Sequence, residues 1–372
     1  MKDTLICTIG TSLFTNINRL DEKDPLRIAK ANGNWIGLAK KLILKSPEDK
    51  ICGAEINSIT SLCQKNLLNS RDTLYLLISD TDDARDIGEI LKRYYEDSKN
   101  LYRFERVLIK DIKGLTDDDV KSFRNQGLRN LVKEIAKILN EIGSERILIN
   151  ATGGYKAQIS FAGLIGQAME IPVLYMFENF SEIITLPPLP LSFNFNLWLR
   201  FYEQLNRLAT EDILRAEDIK VILKDERLLP LIDEEIINGE KIVSLSYMGQ
   251  LFHESFRYRF KKQKKALLPP ELSEDRRKEP RLSEHFYHHP PHFAENMIKK
   301  IWKEKKYITT ISDFYVNPDS PEKNHFEFDK THNCIVFTYS DGTKTAKFRI
   351  EIPEATESQL MAALVDLNET YL

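Results

Sequence analysis

The sequence predicts a doubly wound, Rossmann-like α/β domain followed by a smaller α+β domain with an antiparallel sheet. Three observations predict it. Over the first 190 residues, short unbroken apolar runs alternate with segments whose apolar residues recur at helical spacing. The proline cluster Pro187-Pro188-Leu189-Pro190 then closes that pattern. The last hundred or so residues instead read as strand runs, with the hairpin signal Asp341-Gly342 between two of them.

Thr4–Ile9 is a β run stopped by Gly10, and Trp35–Leu44 has helical spacing. Thr73–Ile78 is a continuous apolar strand that ends on Ser79-Asp80-Thr81, and Ala84–Tyr95 follows with helical period. Phe104–Ile109 is a third strand and Gly127–Ile142 a long amphipathic helix. Arg146–Asn150 is a strand, followed by a glycine turn, a helix over Ala157–Met169 and a strand over Pro172–Phe177. Apolar strands separated by helices imply a parallel sheet covered on both faces. Such sheets bind ligands outside the carboxyl ends of their strands.

Residues 191–265 read as a helical, winged-helix-like linker. Phe195–Leu208 and Lys220–Ile237 have helical character, the latter broken at Pro230. An Asn238-Gly239 turn, a strand over Lys241–Leu245 and a helix over Tyr247–Phe260 follow. Residues 266–292 are rich in proline, charge and histidine and read as an extended linker. Glu295–Lys306 is a basic amphipathic helix, Tyr307–Val316, His325–Asp329, Cys334–Ser340 and Thr345–Ile352 are strands, and Ser358–Leu367 is a final helix. The domain boundaries expected are thus 1–190, 191–265 and 266–372.

With 42% hydrophobic and 29% charged residues, the composition is that of a water-soluble globular chain, expected in the cytoplasm. Its longest apolar run, Ile171–Phe177, is far short of the roughly 20 residues that span a bilayer, and the N-terminus reads as a strand with no signal peptide. The four cysteines form no CxxC pair and read as reduced, buried thiols. A net charge of −3 excludes a chain that coats nucleic acid along its length. The charge is uneven, however: Arg257–Lys265 holds six positive residues in nine, a run suited to a solvated helix or to attracting RNA. All seven histidines follow residue 250, so the two ends of the chain are set up for different chemistry.

Two loops at strand ends carry the first signal. In Thr8-Ile9-Gly10-Thr11-Ser12-Leu13, glycine admits a ligand to the backbone while hydroxyls and amides hold phosphate or ribose oxygens. In Asn150-Ala151-Thr152-Gly153-Gly154-Tyr155-Lys156, paired glycines precede a helix N-terminus that favours anions, and Lys156 adds a positive charge. Ser79-Asp80-Thr81 ends a third strand. Neither loop is a Walker A or GxGxxG motif, which leaves hydride transfer and ATP hydrolysis without support.

The segments IGTSLFTN and INATGGYKAQISFAGLIGQ, with ISDT between them, resemble the CARF domains of type III CRISPR ancillary proteins. LSYMGQLFHESF resembles the winged-helix region that often follows, and the likeness covers about residues 1–260. The resemblance implies a homodimer that binds a ring-shaped oligoadenylate, usually cyclic tetra-adenylate, across its two-fold axis as an allosteric activator. Carried over, Gly10, Thr11, Ser12, Thr152, Gly153, Gly154 and Lys156 face the ligand, and Leu13, Ser79, Asp80, Thr81 and Asn150 complete the candidate set. Some such sensors also cleave their ring slowly, which these hydroxyls and this lysine permit.

Sensors of this family carry different effectors. A HEPN ribonuclease needs an Arg-x4–6-His motif, and Arg281 and His288 meet the spacing, but the strands that follow contradict an all-helical domain. A metal-dependent restriction-type core needs Glu-x-Lys on a strand, and Glu327-Phe328-Asp329-Lys330 matches it poorly. A RelE-like domain has basic helices, a small antiparallel sheet and a C-terminal helix, the order found here. That resemblance implies an endoribonuclease that cuts mRNA, on the ribosome, by metal-independent attack of the 2′-OH. The chemistry asks for groups that take the 2′-OH proton, stabilise the phosphorane and protonate the leaving oxygen. Lys347 and Arg349, two apart on one strand, point the same way, as do His325 and Glu327 on another. Lys330, His332 and Tyr339 lie nearby in sequence. No cofactor or metal is expected: His285, His288, His289 and His292 have suggestive spacing, but Pro290 and Pro291 break any helix that would align them. An oligoadenylate-controlled winged-helix transcription regulator is the competing class.

Overall fold

The computed structural model describes residues 1–177, 182–191, 193–280, 282, 291–317 and 321–372. The chain forms two compact units. The first takes Met1–Phe193 and Glu211–Tyr258, the second Asn194–Thr210 and Arg259–Leu372, so residues 191–265 are shared between them.

The first unit is built on six strands: β1 (Thr4–Thr8), β2 (Thr73–Ser79), β3 (Arg106–Ile112), β4 (Ile147–Asn150), β5 (Val173–Tyr175) and β6 (Ile184–Leu186). Their order is β3-β2-β1-β4-β5-β6, with β1 to β5 parallel and β6 antiparallel to β5. Alternate residues of each strand feed opposite faces, as the pleat requires. Leu5, Cys7, Leu74, Leu76 and Leu148 pack beneath the helices between residues 12 and 96. Ile6, Leu77, Ile147 and Ile149 pack beneath the helices Leu128–Ile142 and Lys156–Ala168. Each fully buried Leu or Ile of this kind contributes roughly 1.5–3 kcal/mol. This is the doubly wound sheet the apolar runs imply.

The helix expected over Lys220–Ile237 does not form. Residues 216–231 make three short 3-10 turns, and Ile232–Ile237 is a strand, β8. Together with β7 (Leu214–Arg215) and β9 (Glu240–Leu245) it makes a three-stranded antiparallel sheet of order β7-β9-β8. The reason lies in the turn. Asn238 and Gly239 both take positive φ (52° and 83°), the two-residue hairpin geometry that demands a paired strand on each side. Cross-strand pairing and the missing amide of Pro230 together outweigh the helical character of the segment. The helix Tyr247–Leu267 follows, contributing residues as far as Tyr258 to the first unit and from Arg259 to the second.

The second unit holds β10 (Thr310–Asn317), β11 (His325–Asp329), β12 (Cys334–Ser340) and β13 (Thr345–Glu351) in an antiparallel sheet of order β10-β13-β12-β11. One face carries Phe326, Phe337 and Phe348. The Phe326 and Phe337 rings stack at 4.1 Å, and the C-terminal helix Glu357–Tyr371 lies against them through Tyr371 and Asn368. On this same helix, buried Asp366 accepts from Tyr307 Oη at 2.6 Å and Lys305 Nζ at 2.9 Å, and pairs with Lys264. Burial pushes the Asp366 carboxyl up, but the hydrogen bonds from Lys264, Tyr307 and Lys305 outweigh it and hold the group below its ordinary value.

All four cysteines are buried and free, and burial pushes the Cys52 thiol to about 12 and that of Cys63 to about 11. Among the described residues no helix is long and apolar enough to cross a membrane. Arg281, His285, His288 and His289 lie outside the described residues.

Candidate functional site

From β1 the chain winds to β2 and β3 on one side, and from β4 to β5 and β6 on the other. The loops after β1 and β4 therefore flank the point where the strand order reverses, the ligand crevice of doubly wound sheets. Here the two loops touch. Thr8 Oγ1 donates to the Gly153 carbonyl at 2.5 Å, and a Cβ on Gly10 would lie 2.6 Å from the Gly154 nitrogen.

Beneath the contact lies Glu55, 1% exposed, on the helix Gly53–Gln64. It accepts from the Gly10 amide at 2.7 Å and the Ser12 hydroxyl at 3.2 Å, and Ser12 Oγ in turn accepts from the Ala54 amide at 2.9 Å. Burial raises the Glu55 carboxyl, and the Gly10 amide partly offsets the rise. A side chain at Gly153 has no room, because its Cβ would sit 2.0 Å from Glu55 Oε1. Gly154, at φ +106°, adopts backbone that other residues rarely take.

The candidate residues divide by what their side chains do. Thr11 and Lys156 are exposed, Ser12, Thr152 and Gly154 half-buried. Leu13 is fully buried in the core below the loop. Asn150, also fully buried, donates to Ser58 Oγ at 2.8 Å and accepts from Thr152 Oγ1 at 2.6 Å. Ser79 and Thr81 pair their hydroxyls, and Thr81 caps the helix Asp82–Glu96. Asp80 accepts from the Gly114 amide at 3.1 Å and pairs with Lys113 and Arg85, and the Gly114 bond heads the interactions that hold its carboxyl below the usual range. The second strand-end cluster thus ties down the loop after β3. That loop returns to the glycine turn, where Tyr155 Oη donates to Asp117 at 3.1 Å and the Tyr155 and Phe123 rings meet edge to face at 5.4 Å.

Phe123 opens a π turn, Phe123–Gly127, at the head of the helix Leu128–Ile142. The face of these turns and β8 enclose a cavity of 610 Å³. Ion pairs span it, Lys121 to Glu235 at 2.9 Å and Arg124 to Asp233 at 3.6 Å.

In the second unit the registers bring distant residues into rows. His325, Thr338 and Lys347 stand opposite one another on β11, β12 and β13, and Glu327, Val336 and Arg349 form the next row. Directly opposed residues share a face, so four of the predicted residues, His325, Glu327, Lys347 and Arg349, meet on the face away from the phenylalanines. His325 Nε2 lies 3.9 Å from Glu327 Oε1. The Glu327 carboxylate raises the imidazole above its ordinary value, and the imidazole lowers Glu327. Lys347 pairs with Glu322 at 3.3 Å and lies over the Tyr315 ring, while Arg349 lies over Phe314. Tyr339 stands on the opposite face, against Phe293 and Phe337. Lys330 and His332 are exposed at the β11–β12 turn, where His332 Nδ1 is 2.6 Å from Asp329. Among the described residues no cluster of His, Cys, Asp and Glu could hold a metal.

Sequence reasoning missed Glu55, Thr338 and Glu203. Glu55 had one signal, a lone acid among small and apolar residues in GAEINSITSLC.

Residues 50–189 match the family described as CRISPR-associated protein (Cas_APE2256). No curated protein matches the chain. Among solved structures, that of Can2 from Sulfobacillus thermosulfidooxidans in complex with cyclic tetra-adenylate is similar at 14% identity and a TM-score of 0.23, covering 72% of this chain and 67% of that one. Protein VC1899 from Vibrio cholerae is similar at 11% identity and a TM-score of 0.25, covering 94% of this chain and 77% of that one. Glu55 and the Asn150–Lys156 loop lie within the residues that match this family.

Proposed function

We propose that this chain is an effector of type III CRISPR antiviral defence, a ribonuclease switched on by cyclic tetra-adenylate. The observation that carries the reading is the meeting of two glycine loops at the reversal point of a sheet whose residues 50–189 match a CRISPR-associated family. The pocket suits an anionic, hydroxyl-rich ligand: Gly10, Gly153 and Gly154 keep the backbone bare, Thr11 offers an exposed hydroxyl, Ser12 holds the loop to Glu55, and Lys156 adds a positive charge at a helix N-terminus. A ring of four nucleotides on the two-fold axis of a homodimer would present the same chemistry to both copies.

For the output, the polar sheet face of the second unit supports metal-independent RNA cleavage of the RelE kind, with mRNA on the ribosome as substrate. Lys347 and Arg349 would stabilise the charge that develops on the phosphorane, and His325 would protonate the leaving 5′-oxygen. Ligand binding would favour the arrangement in which this face is open to RNA. The direct test is to add cyclic tetra-adenylate to the purified protein with labelled mRNA, with and without ribosomes. Ring-dependent cuts with 2′,3′-cyclic phosphate ends are expected. Unchanged RNA under every condition refutes the reading.

A further inference from the structure

The ribonuclease reading of the second unit needs an acceptor for the proton of the attacking 2′-OH, and two carboxylates at the row are already engaged, Glu327 with His325 and Glu322 with Lys347. Lys347 and Arg349 are cations, and His325 is held toward its charged form by Glu327. A further acid reaches this row from a helix. Glu203, on the helix Tyr202–Glu211, accepts from the amide of Phe328 on β11, the sheet's edge strand, and so stands beside Glu327 and His325. The row has a second unusual feature. Thr338, between His325 and Lys347, is fully buried, yet among the described residues its hydroxyl has no hydrogen-bond partner. A buried hydroxyl left unsatisfied in a native fold calls for an explanation, a catalytic role among them.

We infer that Glu203 is the general base of RNA cleavage on this face, with His325 as the general acid and Lys347 and Arg349 flanking the scissile phosphate. The inference rests on the ribonuclease reading. In the step, the Glu203 carboxylate takes the 2′-OH proton and the 2′-oxygen forms its bond to phosphorus. The bond from phosphorus to the 5′-oxygen breaks, and the His325 imidazolium gives its proton to that oxygen. The products are a 2′,3′-cyclic phosphate and a 5′-hydroxyl, with Glu203 protonated and His325 neutral. The substrate class is therefore RNA with a free 2′-OH at the cut.

The surroundings of Glu203 fit this role. It faces Glu327 and His325 on β11 and Arg207 on its own helix, and Lys347 lies across the row. Burial and then the Glu327 charge push its carboxyl up, toward the pH where a base works best, while the neighbouring Glu327 is held down.

The test uses the full-length protein with cyclic tetra-adenylate, ribosomes and labelled mRNA, and compares wild type with Glu203→Gln and Glu203→Asp. Gln keeps the volume and the acceptor for the Phe328 amide. It is expected to lower the cleavage rate about 10²–10⁴-fold and to abolish the acidic limb of the pH–rate profile. Asp is expected to keep that limb at a reduced rate, which a merely structural role would not predict. If Gln lowers the melting temperature, the Asp profile alone decides. Wild-type cleavage with a Gln variant within twofold of it and an unchanged acidic limb overturns the assignment and leaves the ribonuclease reading standing. The absence of wild-type cleavage overturns both.

Discussion

Replacing Gly153 by alanine tests the central contact of the glycine loops. The new Cβ would meet Glu55 Oε1 at 2.0 Å, Glu55 Cδ at 2.9 Å and the Gly10 nitrogen at 3.0 Å. Glu55 cannot swing into solvent, because it is buried and tied to Gly10 and Ser12. The carboxylate must shift and release at least the Gly10 amide. A lost hydrogen bond to a charged, buried group costs about 1.5–3 kcal/mol, and the stranded partner adds about 1 kcal/mol or more. The alanine gains back only about 0.4–1 kcal/mol through the unfolded chain. A net loss of about 3 kcal/mol, at roughly 2–4 °C per kcal/mol for a unit of this size, lowers the melting temperature by about 6–12 °C. Thermal unfolding followed by circular dichroism measures it, and calorimetry with cyclic tetra-adenylate reads binding on the same sample. The double variant Gly153→Ala, Glu55→Ala removes the clash, so the two losses should fall well short of adding. If the single variant melts within 2 °C of wild type (a shift of about 1 kcal/mol or less), or the double variant is simply additive, the packing argument is wrong.

Further predictions concern the ligand, the sheet face and the buried acid. Lys156→Ala is expected to weaken cyclic tetra-adenylate binding about tenfold or more, with a shallower salt dependence, since it removes one positive charge beside a helix N-terminus; isothermal titration at two salt concentrations checks it. Lys347→Ala with Arg349→Ala should reduce RNA cleavage at least 10²-fold with ring binding unchanged, and full cleavage would reject that pair. Asp366→Asn leaves Lys305 and Lys264 without their carboxylate and should cost about 3–5 kcal/mol in denaturant unfolding of the second unit. Because the folded-state value of Asp366 is lowered, its stabilisation is present above the ordinary aspartate value and is lost as pH falls through and below it, so wild type should lose its advantage over Asp366→Asn in acid.

How much was legible depended on whether an element shows one face or two. β1, β2 and β4 read correctly because their neighbours bury them on both sides, leaving continuous apolar runs. The helix Leu128–Ile142 has one apolar stripe and also read correctly. The helix Gly53–Gln64 did not, because it is buried nearly all round and its small and polar residues carry no helical period. Glu55 went unseen with it. β6 is short and exposed, and β8 looks helical until the Asn-Gly turn is given its full weight. On the effector face, strand alternation paired His325 with Glu327 and Lys347 with Arg349, but only the register places one pair opposite the other. Tyr339 fell on the far face because an odd offset from Thr338 reverses its direction. Glu203 belongs with residues more than a hundred positions away, and no local pattern joins them.

The π turn at Phe123–Gly127 sets the rotational phase of the helix end that it belongs to. Such a turn is an α-helix wound with one residue too many. Removing one residue, Asn125 for instance, would restore regular winding and rotate everything before it by about 100°. Phe123 would leave the Tyr155 ring, and Lys121 and Arg124 would swing off β8. The extra residue therefore sets the phase in which a single helix end meets both Tyr155 of the glycine loop and the hairpin strand β8.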